Sequence, residues 1–442
     1  MSTLSQSISG KARILAWGAL AATGLASAGC SGDPAAASNT LTIQVQAAQQ
    51  PAFEYAAGLL KKKHPDVKVE LQTITEQQKS TTNSQILASS GAPDVGLVPI
   101  NAQPYVDLAR AGKLTPLDDV WKGANLESRY SASIAKSLKW DGKPYLTLFD
   151  TTFYNVVYYN KTAFEKAGIT APKNHQISSN QKLYDIVSKL KKAGYDGLST
   201  GGSSGYQFGW LVDAQLQANA SDDALEDFLT SWQPGAKQTV PYTSPEFTES
   251  LAQISEWKEH GVFPSGVVGQ SGDQAQAAFT AGDAGMLLAG TWIPSVLGDT
   301  DFDYDWLLLP GAGNQPTLPT LYAGDTLAIP TASKNVAMAK EFLKIYVSDE
   351  VQKYAAQHVG SLPAVKTVEA ASVSELGPIV QSIIDFTNTT GFGLGWTSTL
   401  PGSIGQSFID PQVQQLVSGQ TTAKKIGEAE QQEFEKYKAQ DD

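Results

Sequence analysis

The sequence contains a single cysteine, Cys30, which excludes an intrachain disulfide. Exported domains with small cores commonly depend on disulfides for their stability, and this chain cannot use that device. Its folded part must be stabilised by burial of apolar side chains instead. The composition allows this, because 41% of the residues are hydrophobic and the chain has 9 Trp, 16 Tyr and 15 Phe. We therefore predict large apolar cores rather than a small cross-linked fold.

Positive charge is also scarce. The 32 Lys and Arg residues are outnumbered by 44 Asp and Glu residues, which gives a net charge of −12. Proteins that bind nucleic acid or anionic lipid surfaces through electrostatic attraction present basic patches. We therefore exclude nucleic acid as a partner. Outside residues 14–25, no apolar run approaches the roughly 20 residues that a membrane-spanning helix needs.

The sequence motifs of several enzymes and metal proteins are missing. The four histidines do not have HExxH spacing, and the glycine-rich residues 201–205 are not followed by the Gly-Lys-Ser/Thr of a phosphate-binding loop. Aspartates alternate through residues 299–305, but an EF-hand loop starting at Asp299 would place Tyr304 where glycine is needed. We predict no catalytic residues, no metal site and no cofactor.

The N-terminus has the pattern of an export signal. Lys11 and Arg13 precede an apolar stretch at residues 14–25, and small residues follow at 26–29. An apolar stretch this short, with positive charge before it and small residues after it, is typical of a cleavable signal peptide. We therefore predict a signal peptide over residues 1–29.

The small residues end at Cys30, in a sequence that resembles a bacterial lipobox. In such a sequence the thiol is lipidated and becomes the first residue after cleavage. We predict a lipid anchor at Cys30, a flexible tether over residues 30–39, and a location on the extracellular face of a bacterial cell membrane. An ordinary secretory signal with a chance cysteine is the alternative.

Beyond residue 40 the apolar pattern changes repeatedly between strand and helix. Leu41, Ile43 and Val45 have the two-residue period of a strand, apolar residues in 53–60 have helical spacing, and residues 67–71 return to the strand period. Such a unit implies two parallel strands joined by a right-handed crossover. We therefore predict an α/β fold. Further elements are predicted as a strand at 95–98 and helices around 183–190, 247–257 and 336–346.

A series of short motifs extends over nearly the whole chain. They are GAPDV at 91–95, DGKPY at 141–145, VYYNK at 157–161, AGI at 167–169, FTAGDAGM at 279–286, GTW at 290–292, GD at 324–325, IP at 329–330, SKN at 333–335, EVQ at 350–352 and GSLPA at 360–364. In identity, order and spacing the series resembles the extracellular solute-binding proteins, family 1, which serve ABC importers of sugars. The resemblance depends on the whole series, because each motif alone is short.

The resemblance implies a two-lobed, periplasmic-binding-protein-like α/β fold. Each lobe is expected to be a mainly parallel sheet flanked by helices, with several hinge crossings. Lobe 1 is expected over residues 40–148 plus 307–347, and lobe 2 over residues 149–306 plus 348–442. The implied partners are a neutral mono- or oligosaccharide, the permease subunits of an ABC importer, and the membrane through the N-terminal lipid. We expect a monomer.

In this family, loops of both lobes contact the ligand, and the matching loops of this sequence carry aromatic and amide side chains. A sugar has apolar C–H faces edged by hydroxyls, which fit aromatic planes with polar groups at their rim. Trp292 follows Gly290 in a short turn, Trp396 is flanked by glycines, and both are predicted to stack on the sugar. Phe153 and Phe208 fit a core as well as a site. The other candidate ligand contacts are Gln50, Asn101, Phe149, Asp150, Gln207, Trp210, Tyr322, Asp325 and Phe392.

We therefore interpret the chain as a lipid-anchored binding protein that captures a carbohydrate, expected to be a neutral oligosaccharide, for an ABC importer. It is not predicted to be an enzyme. Two alternatives remain open. One is a surface-anchored glycoside hydrolase, because an acid-rich chain offers many carboxylate pairs. The other is a receptor for a non-sugar solute such as a peptide or an ion, although the aromatic loops argue against an ion.

Overall fold

The computed structural model describes residues 39–440, except for residues 76–77, 80–81, 101–102, 131–133, 136–137, 204, 234, 298–299, 323–324, 370–375 and 402. The predicted signal peptide, the anchor at Cys30 and the tether up to residue 38 lie outside the described residues. The candidate ligand contact Asn101 also lies outside them. Within the described residues, no helix is both long and apolar enough to cross a membrane.

The first third of the chain builds small sheets and the helices that cover them. Its elements are β1 (Thr40–Val45), α1 (Gln50–Lys63), β2 (Lys68–Thr73), α2 (Asn83–Ala88), β3 (Gly96–Pro99), α3 (Gln103–Arg110), α4 (Asp118–Ala124), α5 (Leu126–Arg129), β4 (Lys139–Trp140), β5 (Lys143–Pro144) and β6 (Thr147–Leu148).

The middle of the chain contains most of a larger sheet. Its elements are β7 (Thr152–Asn160), α6 (Lys161–Lys166), α7 (Asn180–Lys192), β8 (Asp196–Ser199), α8 (Tyr206–Asn219), α9 (Asp222–Thr230), α10 (Pro245–Glu259), α11 (Gly272–Thr280), β9 (Ala284–Gly290), α12 (Ile293–Val296) and β10 (Tyr304–Leu307). The last part contains β11 (Thr320–Tyr322), β12 (Asp325–Ala328), α13 (Val336–Tyr346), α14 (Asp349–Val359), α15 (Gly377–Thr390), β13 (Gly393–Leu394), α16 (Trp396–Thr399), α17 (Gln406–Ser418) and α18 (Ala423–Lys438).

The strand–helix–strand unit predicted at the start of the fold is formed by β1, α1 and β2. The two strands pair in parallel, from Thr40 opposite Lys68 to Val45 opposite Thr73. α1 has a proline in its first turn and three lysines in its last turn, an arrangement that suits the helix dipole. The predicted third strand is β3, which follows an isolated parallel bridge to β1. This part of the prediction is confirmed.

The helices predicted from apolar periodicity are α7, α10 and α13. α7 begins after Ser179, whose hydroxyl accepts a hydrogen bond from the backbone N–H of Lys182 and so caps the helix. Its predicted apolar stripe, from Leu183 to Leu190, is buried. α10 has Pro245 in its first turn, and Trp257 on its apolar face is completely buried, as predicted for a core residue.

Strand pairing is more mixed than the mainly parallel sheets that were predicted. The larger sheet has the order β13–β11–β7–β9–β8, with β10 also paired to β7. β8 is parallel to β9 and β11 is parallel to β13, but β7 is antiparallel to β9, β10 and β11. In the smaller sheet β12 is antiparallel to β3 and β6. The reason is that β7 and β12 each enter their sheet directly from the other sheet, without a helical crossover.

Two apolar cores lie on opposite faces of the larger sheet. The first core includes β1, β3, β6 and β12 and reaches the larger sheet through Val156 and Tyr158. The second core includes α7, α8, α10 and α17 and reaches the sheet through Val157 and Tyr159. β7 therefore contributes alternate side chains to both cores, as a fully buried strand does.

Candidate functional site

Several strand ends meet at the edge of the larger sheet where the chain arrives from the smaller sheet. β7 begins there, and β9 ends there, because Tyr154 lies opposite Gly290. Tyr322, the last residue of β11, lies opposite Thr152. β8 is parallel to β9 and ends on the same side, so the loop after β8 and the start of α8 reach this edge as well. Ligands of α/β proteins commonly bind outside such carboxyl ends of strands.

A β-bulge at Asn155 sets the direction of the side chains at this edge. Asn155 has a φ of 61°, and the register between β7 and β9 shifts between Tyr154 and Val156. In an unbroken strand, Tyr154 would share a face with Val156, which packs in the first core. The extra residue turns Tyr154 to the other face instead, towards α8. Asparagine tolerates the left-handed backbone better than most residues.

Five aromatic rings lie together at this edge, and we call them the aromatic wall. They are Tyr154, Tyr206, Trp210, Trp292 and Tyr322. Trp210 is central, because its ring centroid lies 5.1 Å from that of Tyr154 and 5.7 Å from that of Trp292. Tyr206 lies 5.2 Å from Trp210, and Tyr322 lies 6.5 Å from Tyr154. Every ring except Tyr154 is half-buried. Each of these four rings therefore packs against the protein on one side and keeps part of its surface exposed.

The end of β9 fixes Trp292. Its ring lies over Gly290, where any side chain would collide with it. The neighbouring Thr291 donates its backbone N–H to the carbonyl of Phe153 at 2.8 Å and accepts the N–H of Phe153 on its hydroxyl at 3.2 Å. The glycine of the GTW motif is therefore needed for the position of the ring. The structure brings Trp292 together with Trp210 and Tyr322, three of the predicted ligand contacts.

Phe392 extends the apolar surface towards solvent. Its ring centroid lies 5.6 Å from that of Phe153, and its side chain is 46% exposed. Leu394, on the other side of Gly393, is 41% exposed. Neighbouring exposed apolar side chains are typical of an interaction surface. Phe392, one of the predicted ligand contacts, therefore lies beside the first residues of β7.

A buried carboxylate lies behind the aromatic wall. Asp213 of α8 is fully buried and accepts a hydrogen bond from the hydroxyl of Tyr154 at 2.7 Å. It also accepts one from the backbone N–H and one from the hydroxyl of Thr397, each at 2.8 Å. Burial raises the pKa of Asp213 to about 7, although these hydrogen bonds oppose the rise. Burial and the nearby carboxylate raise the pKa of Tyr154 well above its usual value, so Tyr154 remains a donor.

Two of the predicted ligand contacts are core residues. Trp396 is completely buried, with its ring 5.1 Å from Phe247 and 5.6 Å from Tyr242. Its flanking glycines do not expose it, because Trp396 begins the short helix α16, which packs into the second core. Phe149 is 1% exposed and packs edge-on against Phe53 in the first core. The stacking role predicted for Trp396 and the ligand contact predicted for Phe149 are therefore wrong.

Two polar candidates are held inside the fold. The side-chain oxygen of Gln207 accepts a hydrogen bond from the backbone N–H of Gly201. The carboxylate of Asp150 accepts a hydrogen bond from the hydroxyl of Ser361 at 3.3 Å. Each of the two side chains is only 5% exposed, so neither presents a free surface to a ligand. The ligand contacts predicted for Gln207 and Asp150 are therefore wrong, and both side chains form hydrogen bonds within the fold instead.

The remaining candidates lie near the smaller sheet. Gln50, at the start of α1, is half-buried and donates a hydrogen bond to Glu54 at 2.7 Å. Asp325 begins β12, and its backbone lies opposite Pro99 at the end of β3. The strand end before Asn101 and the start of β12 thus meet at one edge of the smaller sheet.

Sequence reasoning missed Tyr154, Asn155, Tyr206 and Asp213. Tyr154 and Asn155 lie in a run of β-branched and aromatic residues, and no feature of that run marks the bulge. Asp213 lies in a helix whose buried set includes both apolar and polar residues, so its burial could not be read from periodicity. Tyr206 had a usable signal, since it belongs to the same short segment as Gln207 and Trp210.

A separate groove of about 1090 Å³ lies beside β10 and α15. Its lining includes Lys161, His175, Asp303 and Ser382, together with Thr291, but none of the five rings of the aromatic wall. We do not assign it as the functional site, because its lining does not include the aromatic wall. In the part of the chain that the structure describes, no three His, Cys, Asp or Glu side chains are grouped so that they could hold a metal ion.

Comparison of the sequence with known protein families identifies the class to which the chain belongs. Residues 39–353 match the bacterial extracellular solute-binding proteins, and the chain belongs to this family. The family resemblance that was inferred from the short motifs is therefore confirmed.

Individual relatives are distant but cover most of the chain. A diacetylchitobiose binding protein of Streptomyces coelicolor is 26% identical over 337 residues, which are 74% of this chain and 73% of that protein. An uncharacterized ABC transporter extracellular-binding protein of Pyrococcus horikoshii is 22% identical over 389 residues, which are 86% of this chain and 82% of that protein.

The fold is shared with solved structures. A chitin oligosaccharide binding protein matches with a TM-score of 0.75 at 21% identity, over 90% of this chain and 99% of that chain. Identity this low shows the fold alone. The two-lobed α/β class predicted from the sequence is confirmed.

Proposed function

We propose that the protein is the lipid-anchored substrate-binding component of an ABC importer and that it captures a neutral oligosaccharide between its two lobes. The observation that supports this most directly is the aromatic wall, which lies at the sheet edge next to the hinge crossings. Sugar rings have apolar C–H faces, and half-buried aromatic rings offer matching planes. The net charge of −12 also disfavours an anionic ligand.

The lobes are proposed as residues 40–148 plus 307–347 and residues 149–306 plus 348–442, with one change. α14 packs on α1, where the rings of Tyr55 and Tyr354 stack at 4.0 Å. We therefore assign Asp349–Val359 to the first lobe rather than to the second. With this division four rings of the aromatic wall belong to the second lobe, and Tyr322 falls in the residue range of the first lobe, although its strand β11 pairs with β7.

The hinge geometry supports a ligand that contacts both lobes. The chain passes from β6 to β7 through residues 149–151. A crossing of this length spans at most roughly 10 Å, so the linked edges of the two sheets stay close together. A sugar lying on the aromatic wall is then within reach of the first lobe, near the start of β12 and the end of β3.

Capture is proposed to act by closure. A ligand that contacts both lobes has a higher affinity for the closed arrangement and shifts the population towards it. The closed protein then presents the sugar to the permease, while the lipid on Cys30 keeps it at the extracellular face of the membrane. This sequence of events involves binding and release and does not require a catalytic residue, a metal or a cofactor.

The names of relatives support a carbohydrate ligand and indicate which sugars to test first. The Streptomyces coelicolor relative is named for diacetylchitobiose, and the solved structure described above is named for chitin oligosaccharides. Chitin-derived oligosaccharides are therefore the first ligands to test, followed by other neutral oligosaccharides and their monosaccharides.

A thermal-shift screen over such a panel tests the proposal. A ligand at about 100 times its Kd stabilises the folded protein by about 2.7 kcal/mol, which raises the melting temperature measurably. We expect at least one neutral oligosaccharide to do so, and its chromatogram to be unchanged after overnight incubation. The absence of a shift across the panel would contradict the proposal. Release of shorter sugars would favour the glycoside hydrolase instead.

A further inference from the structure

Asp213 connects three elements that carry or support the aromatic wall. It lies on α8 three residues after Trp210, so the two residues are neighbours along one face of the helix. Its carboxylate accepts hydrogen bonds from Tyr154 on β7 and from Thr397 on α16. Tyr154 is also the ring closest to Trp210 in the wall. The wall and the loop that follows Phe392 are therefore tied to one carboxylate.

The surroundings of Asp213 are shaped for this contact. A side chain at Gly395 would collide with the hydroxyl of Tyr154 and would approach the hydroxyl of Ser398. Burying a carboxylate is costly unless several donors satisfy it. Apolar residues of similar volume often stabilise a core at least as well as buried charged groups do. The carboxylate is therefore not explained by packing alone.

We propose that Asp213 is a positioning residue of the binding site, which fixes the orientation of the Tyr154 ring by accepting hydrogen bonds from Tyr154 and Thr397. Through Tyr154 it sets the arrangement of the rings on which the ligand lies. The effect on ligand affinity rests on the proposed function, whereas the effect on the arrangement of the rings does not. The two effects can therefore be measured separately.

The charged form of Asp213 is the form that holds this arrangement. One carboxylate oxygen accepts both the Tyr154 and the Thr397 hydroxyl, and the other accepts the Thr397 N–H. Protonation converts one oxygen into a hydroxyl, so a donor loses its acceptor. Because burial raises the pKa of Asp213 to about 7, this change occurs at an accessible pH.

Other titratable groups face Asp213 from the neighbouring elements. They are Tyr154 on β7, with Tyr322 of β11 beside it, and Asp410 on α17. Burial raises the pKa of both Tyr154 and Asp410 well above their usual values, which favours their neutral forms. Asp213 is the carboxyl of this set that bonds to Tyr154 and Thr397, so its change of charge is the one that we expect to alter the arrangement of the rings.

The first test needs no ligand. Tryptophan fluorescence of the full chain is followed from about pH 5.5 to about pH 8.5, and the signal of Trp210 is assigned by comparison with Trp210→Phe. We expect a transition near pH 7 in the wild type that is absent from Asp213→Asn. Asp410→Asn is the matched control, because it removes a neighbouring buried carboxyl that does not bond to the wall, and it should keep the transition.

The second test measures affinity for the oligosaccharide that gives the largest thermal shift. We expect the wild-type Kd to be about tenfold higher at pH 5.5 than at pH 8.5, in line with the loss of one hydrogen bond to a charged group. Asp213→Asn should have a Kd about tenfold above that of the wild type at pH 8.5 and little pH dependence. Asp410→Asn should follow the wild type.

The outcomes separate this proposal from the proposed function. If no sugar binds the wild type, the function is wrong, and the fluorescence transition still decides whether Asp213 orders the wall. A transition that persists in Asp213→Asn, or a Kd and pH profile of Asp213→Asn equal to those of the wild type, would overturn the positioning role. If Asp213→Asn does not fold, Thr397→Val and Tyr154→Phe remove the same hydrogen bonds singly, and each should shift or abolish the transition. Wild-type behaviour in both would overturn the proposal equally.

Discussion

The side-chain amide of Asn155 donates a 2.7 Å hydrogen bond to the backbone carbonyl of Trp210. It donates a second, of 2.8 Å, to the hydroxyl of Thr320. The residue that forms the bulge in β7 is thus bonded directly to the helix that carries the central ring of the aromatic wall. Bulges often redirect side chains beside functional sites, and this one both turns Tyr154 and holds Trp210.

Removing the Asn155 side chain should therefore disturb the wall. Asn155→Gly keeps the left-handed backbone accessible and deletes the amide, so we expect a loss of about 1 kcal/mol in the free energy of unfolding and about tenfold weaker sugar binding. Asn155→Ala should lose a further 1–2 kcal/mol or so, because alanine is strained at positive φ. Urea denaturation and calorimetric titration measure the two effects. Wild-type affinity in Asn155→Gly would show that the bulge does not position the rings.

Trp292 and Trp396 should respond differently to truncation. Trp292→Ala removes a half-buried ring of the wall, so we expect binding to weaken by at least about 2 kcal/mol, which is roughly thirtyfold in Kd, with a small change in the apo melting temperature. Trp396→Ala leaves a cavity in the second core and should lose about 3–5 kcal/mol of folding stability, while its folded fraction binds normally. Calorimetric titration beside apo thermal unfolding separates the two effects. The reverse pattern would restore Trp396 to the site and remove Trp292 from it.

Stability should depend on pH through buried acids. Burial raises the pKa of Asp213 to about 7 and raises the pKa values of Asp410 and Glu430 well above the usual range. A carboxyl with a raised folded pKa contributes stability that is fully present below its unfolded pKa of about 4 and is lost as the pH rises through the folded pKa. We therefore expect the free energy of unfolding to fall between about pH 5 and pH 8.

Glu430→Gln isolates one of these acids. Neither carboxylate oxygen of Glu430 has a hydrogen-bond partner among the described residues, so the amide should be the more stable form at pH 8 and should flatten the pH profile. Urea denaturation at several pH values measures this. Glu428→Gln, on the exposed face of the same helix, is the matched control and should leave the profile unchanged. An unaltered slope in Glu430→Gln would show that Glu430 is not titrating in this range.

Cys30 should decide where the protein is found. Because Cys30 is the only thiol and ends the lipobox-like sequence, Cys30→Ser should release the protein to the medium or leave the precursor uncleaved. Immunoblots of membrane and medium fractions measure the distribution. Equal amounts of mutant and wild type in the membrane fraction would rule out a lipid anchor on this residue.

Much of the fold was accessible from the sequence because local patterns determine it. The alternating apolar residues of β1 share one face only in a strand, and the apolar stripe of α7 shares one face only in a helix. Both elements form as predicted. The direction of β7 was not accessible in this way. The direction of β7 depends on the chain passing from one sheet into the other, and no local sequence pattern determines that path.

The site was accessible only in part, because burial of a single aromatic residue is a tertiary property. Trp292 lies two residues after Gly290 and Trp396 directly follows Gly395, yet the ring of Trp292 lies over Gly290 at a strand end, whereas Trp396 starts a helix that enters the core. Whether each ring is buried depends on how it packs against the second core, and neither loop sequence determines the shape of that core. Asp213 was missed for the same reason, since its partners Tyr154 and Thr397 are distant in the sequence.

Solution X-ray scattering with and without saturating sugar tests the central claim most directly, namely that a carbohydrate is held between two lobes that close around it. Each sugar of the panel is added to the wild-type protein, with Trp292→Ala as the control that should need about thirtyfold more sugar for the same change. We expect at least one neutral oligosaccharide to lower the radius of gyration of the wild type. Scattering curves that remain unchanged with every sugar would contradict capture by closure.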